Sequence, residues 1–115
     1  TDRPAAFVAY LDALRATRAM DLEAILPGHG EEIRDHAVVV DRRLRTAERR
    51  AAKIRDALAD GPLTAHAIAH RLWGTAALTQ TYMTLCEVLG HLDLLIARGE
   101  VVEEADGAAR VFRAA

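Results

Sequence analysis

Cysteine is almost missing from this chain: Cys86 is the single one in 115 residues. One thiol cannot close an internal disulfide, so a reducing compartment is the simplest setting, and a cytoplasmic location is expected. No apolar run approaches the roughly 18 residues of a membrane-spanning helix, so no membrane role is expected. No basic segment followed by an apolar one marks a signal peptide. Neither sign of charge dominates: the formal net charge is −2, which gives no global reason to bind nucleic acid or an acidic membrane. Glycine and proline are absent between Ala37 and Asp60, which leaves nothing to break a long helix there. An initiating methionine is absent too. The chain opens on Thr1, as a fragment or a processed chain does.

Apolar residues make up 51% of the chain, enough for a core, and 28% are charged, enough for a solvated surface. Residues 4 to 18 read as a helix with Pro4 in its first turn and Phe7, Leu11 and Leu14 at helical spacing. Residues 24 to 27 read as a short strand that runs into a Gly28–Gly30 loop. From Ala37 to Asp60, Val40, Leu44, Ala47, Ala51, Ile54 and Leu58 form one apolar stripe, and Gly61-Pro62 ends it. Thr64 is placed to N-cap a short helix that ends at Gly74. A third helix is expected from about Ala76 to Ala97, with the stripe Leu78, Tyr82, Leu85, Leu89, Leu92 and Ile96, closed by Gly99. Two strands, "EVVEE" and "ARVFRA", flank Ala105-Asp106-Gly107, a hairpin signal.

Three helices followed by a hairpin is the order of a winged helix, so residues 37–115 are expected to form that domain with a long leading helix. Residues 1–36 hold a helix, a strand and a loop without partner strands, which a stable sheet requires. They read as the end of another domain. The expected fold class is therefore mainly α, a winged helix preceded by a helix–strand–loop remnant.

"YLDALRATRAMDLEAILPGHGEEIRD" resembles the last part of a metallo-β-lactamase-fold hydrolase, of the branch near glyoxalase II and the β-lactamase-like endoribonucleases. "RRLRTAERRAAKIRDAL", "GPLTAHAIAHRLWG" and "TYMTLCEVLGHLDLLIARGEV" resemble the winged-helix domain attached to that branch. The resemblance implies that residues 1–36 are the C-terminal remnant of an αββα domain. It also implies that His29 is one ligand of a two-metal site, zinc by family habit, with Pro27, Gly28 and Gly30 shaping the loop. Glycines on both sides of a ligand allow tight turns and leave room for metal and substrate. The ordinary alternative is a plain turn, since Pro-Gly and His-Gly are both turn dipeptides. The HxHxDH motif and the other ligands of the family are absent from this chain. One histidine cannot hold a catalytic zinc, so the fragment alone is expected to be inactive and without a cofactor.

The remaining candidates are weaker. His66 and His70 stand four apart on one helix face, but without a third ligand. His91 reads as an interior or interface histidine, Cys86 as a buried structural thiol, and Trp73 as a core plug. Arg42, Arg43, Arg45, Arg49, Arg50, Lys53 and Arg55 crowd one helix. They form either a solvated face balanced by neighbouring acids or a wall, led by Arg42, Arg45 and Arg49, that steers a phosphate-bearing substrate such as RNA or a coenzyme-A thioester. The third helix carries little basic charge and the wing is acidic, so sequence-specific DNA binding is not expected. Apolar residues left over on the helices point to docking on a missing N-terminal catalytic domain or to a homodimer. A function of a different class stays open: a free-standing winged-helix module that binds nucleic acid or protein.

Overall fold

The computed structural model describes residues 5–20 and 35–115. The expected strand at 24 to 27 and the Pro27–Gly30 loop lie outside them, as does Pro4.

Helix α1 (Ala6–Arg18) buries Leu11 and leans Phe7, Val8 and Leu14 on the same core. It packs against both long helices rather than standing apart from them. Helix α2 (His36–Leu58) starts at Asp35, whose carboxylate accepts from the Val38 N–H at 3.4 Å. Its expected stripe is present: Val40, Ala47, Ala51, Ile54 and Leu58 are buried, and Leu44 is half-buried.

The chain then turns through Gly61, at φ 136°, where residues with a side chain are strained. Leu63 exchanges two backbone hydrogen bonds with Phe112, at 3.0 and 2.8 Å, so this connection lies along the edge of the hairpin like a third strand. Helix α3 (Ala65–Trp73) is capped as expected: Thr64 Oγ1 accepts from the Ala67 N–H at 3.1 Å. Trp73 is half-buried against the core.

The expected third helix is two pieces, α4 (Ala76–Thr79) and α5 (Thr81–Ala97), broken at Gln80 with φ −125° and ψ 47°. The cause lies in "TQT". Thr81 Oγ1 donates at 2.9 Å to the Ala77 carbonyl, which a continuous helix would give to the Thr81 N–H, while the Gln80 carbonyl accepts both the Thr84 N–H at 3.0 Å and the Thr84 hydroxyl at 3.1 Å. The break rotates the buried face. Thr84, Val88, His91, Leu92 and Leu95 point inward, while Leu78, Tyr82 and Met83 of the expected stripe or its flank are exposed. Cys86 is exposed, not buried, for the same reason. Helix α5 ends in a Schellman turn: Gly99, at φ 74°, donates to the Ile96 carbonyl at 2.9 Å, and Glu100 to the Leu95 carbonyl at 2.9 Å.

Strands β1 (Val101–Asp106) and β2 (Ala109–Ala114) pair antiparallel from Val101 opposite Ala114 to Asp106 opposite Ala109. The two-residue loop is Gly107-Ala108, not the expected Ala105–Gly107. Gly107 takes φ 62° at the first loop position, the arrangement of a II′ turn. Phe112 reaches from β2 into the core between α2 and α3, where it is 1% exposed.

Candidate functional site

The residues singled out for metal chemistry, His29 with Pro27, Gly28 and Gly30, lie outside the described residues. Among the described residues no three His, Cys, Asp or Glu side chains come together to hold a metal ion. His66 and His70 are both exposed on the outer face of α3. His36 is the first residue of α2 and is buried; its Nε2 donates to the Met20 carbonyl at 3.0 Å. This bond ties the start of α2 to the end of α1. Arg18 strengthens the junction, reaching Asp41 at 2.8 Å and holding that carboxyl below its ordinary value through the hydrogen bond.

The basic face of α2 divides in two. Arg42, Arg43 and Arg50 line a cavity of about 290 Å³ between α1, α2 and α5. Arg45 and Arg49 do not line it; Arg49 donates to Thr46 Oγ1 at 3.2 Å, and the charge of Arg45 acts on Asp41. Arg43 donates to the Tyr10 hydroxyl at 2.9 Å, and Arg50 pairs with Glu87 at 2.7 Å. Arg42 has no side-chain hydrogen bond or ion pair among the described residues. Farther along α2, Arg55 pairs with Glu100 at 2.6 Å and Glu48 pairs with Arg98, both partners lying just past the end of α5.

His91 closes the inner end of the cavity. It is 2% exposed, and its Nδ1 lies 2.8 Å from the Glu87 carbonyl. A carbonyl only accepts, so Nδ1 carries the proton and Nε2 keeps a lone pair, which meets no donor. Burial holds the imidazole below its ordinary value, against the opposing pull of the Glu87 carbonyl and carboxylate. The Phe7 ring lies over it at 4.4 Å between centroids, and Gly90 makes room: a Cβ there meets Phe7 Cβ at 3.0 Å. The sequence marks His91 as interior and the α2 arginines as a cluster. That α1 roofs the two into one cavity is not readable there, because the signal is the tertiary placement of Phe7 and Tyr10.

This architecture has relatives. A solved β-lactamase domain protein from Burkholderia ambifaria superposes on 94% of the chain with a TM-score of 0.80 and 27% identity. The likeness is to metallo-β-lactamase-family proteins. A metallo-β-lactamase family protein from Thermus thermophilus covers 96% of the chain with a TM-score of 0.75; at 22% identity it speaks for the fold alone. In sequence, a Bacillus subtilis (strain 168) protein described as the probable metallo-hydrolase YqjP is 27% identical over 106 residues, 92% of the chain. The chain spans about a third of the length of each of these relatives, 33% or 34%. No protein-family model matches it. No helix among the described residues is long and apolar enough to cross a membrane.

Proposed function

We propose that this chain is the C-terminal part of a metal-dependent hydrolase of the metallo-β-lactamase fold. Residues 1–36 end the catalytic domain, and residues 37–115 form its winged-helix domain. The observation that carries the reading is the likeness over 94% of the chain to a β-lactamase domain protein three times as long, joined with the sequence likeness to a metallo-hydrolase. The order α2, α3, α5, β1, β2, with Leu63 bridged to Phe112 as a short extra strand, supports the winged-helix assignment.

His29 is the residue of this chain that would hold metal in the complete protein, with Pro27, Gly28 and Gly30 shaping its loop. Neutral imidazole suits zinc, the family's habitual ion, and a pair of such ions activates water and stabilises oxygen charge at an acyl or phosphoryl centre. What this chain adds is placement. The His36–Met20 and Arg18–Asp41 contacts join the helices on either side of the stretch that includes His29. The winged-helix unit then walls the substrate cleft or mediates assembly. Arg42, Arg45 and Arg49 provide a positive approach for a phosphate-bearing substrate such as RNA or a coenzyme-A thioester.

The reading frame upstream of Thr1 tests this. The proposal expects an in-frame HxHxDH followed by a spaced histidine and an aspartate. A frame that begins near Thr1 leaves His29 in a plain turn and overturns the proposal.

A further inference from the structure

We infer that the cavity between α1, α2 and α5 is a binding site for a phosphomonoester carried on an aromatic or apolar body. The inference rests on described residues of these three helices, so it stands or falls independently of any metal at His29.

Charge is the first argument. Among the described residues, Arg42, Arg43 and Arg50 face the cavity against a single carboxylate, Glu87, and burial holds His91 toward its neutral form. The surplus matches the two negative charges of a phosphate monoester. Donor supply is the second. Glu87 is already engaged by Arg50. Tyr10 accepts from Arg43 through its oxygen and so keeps its own O–H to donate. Arg42 is uncommitted among the described residues. Apart from the His91 Nε2 lone pair, the described wall offers donors rather than free acceptors, which fits a group made of acceptor oxygens, and guanidinium forks are suited to phosphate. The third argument is the apolar lining. Phe7 and Tyr10 stack with centroids 6.1 Å apart, and Tyr10 is 41% exposed, so a ring has a face to lie on. The volume, about 290 Å³, lies just under the roughly 300–1,000 Å³ range of ligand pockets, which suits a ligand no larger than one phosphate and one ring.

Titration calorimetry of the 115-residue chain with phenyl phosphate tests the inference, with phenol and inorganic phosphate as partial ligands. One saturable site is expected for phenyl phosphate, weaker binding for inorganic phosphate, and none for phenol. Arg42→Ala should weaken binding by about tenfold, the usual worth of a charge-assisted contact. Glu87→Gln removes the competing carboxylate and should tighten binding about threefold or more, a gain that misfolding does not produce. Lys53→Ala, on the same helix but away from the cavity, should change nothing. Absence of saturable binding overturns the inference. So does equal weakening by Lys53→Ala and Arg42→Ala, which would mean general attraction to a positive helix, and so does a Glu87→Gln protein that binds no tighter.

Discussion

Two residues under α1 set the chemistry of the helical body. His91 is buried with an unmet lone pair, and burial holds its folded value below 6.5. As pH falls, the unfolded chain takes up the proton first. The stability that neutral His91 contributes is therefore complete above about pH 6.5 and is lost as pH falls toward the folded value. Thermal melts of wild type and His91→Leu from about pH 7 to about pH 5 check this. The variant should melt with a flatter pH dependence; an unchanged slope removes His91 as its source. Gly90 is the second residue. Alanine normally favours a helix by about 1 kcal/mol over glycine, yet here its Cβ meets Phe7 at 3.0 Å. Gly90→Ala should destabilise by about 1–3 kcal/mol in the wild type, the range of overpacking, and should become stabilising in a Phe7→Gly background, where the Cβ that it meets is gone. Denaturant melts of the four proteins give the sign. His91 is legible as an interior residue because it sits among apolar neighbours in sequence. The same reasoning fails for Cys86: α5 is apolar on most faces, and composition alone does not say which of them is covered.

At the scale of elements, the caps and stops are written locally and the phase of α5 is not. Thr64, Gly74, Gly99 and Gly107 each act within a few residues of themselves, so the sequence places them. Thr64→Ala should cost about 1 kcal/mol, read as a lowered denaturation midpoint with an unchanged slope. At the Gln80 break the Thr81 hydroxyl takes the Ala77 carbonyl from the helix ladder, which periodicity does not register. Several apolar stripes fit α5, and the one that faces inward is chosen by α2 and α3 packing on it. Phe112 shows how far the hairpin is bound into the core. Phe112→Ala should cost about 3–5 kcal/mol, far more than trimming an exposed hairpin residue, because the ring is 1% exposed on a strand that packs on α2 and α3. A loss below about 1 kcal/mol would mean that the hairpin is only loosely attached.

At the scale of the molecule, the chain is a helical body with one edge hairpin, and α1 is built into that body rather than laid beside it. Division of the sequence at residue 36 separates two families of local pattern, while Leu11 and Phe7 join one core with α2 and α5. That union is not legible in the sequence, since α1 and α5 are far apart along the chain and share no pattern. Its consequence for function is positional: Met20 and His36, on either side of the stretch that includes His29, are hydrogen-bonded to each other at 3.0 Å. The central claim is that His29 ligates metal in the complete protein. Its most direct test is the metal content of the full-length gene product with and without His29→Ala, measured after gel filtration in metal-free buffer. The account predicts about two bound ions in the wild type, as in two-metal hydrolases, and the loss of at least one in the variant, with the helical body melting at the same temperature. Equal metal content in both proteins, or none in the wild type, would contradict it.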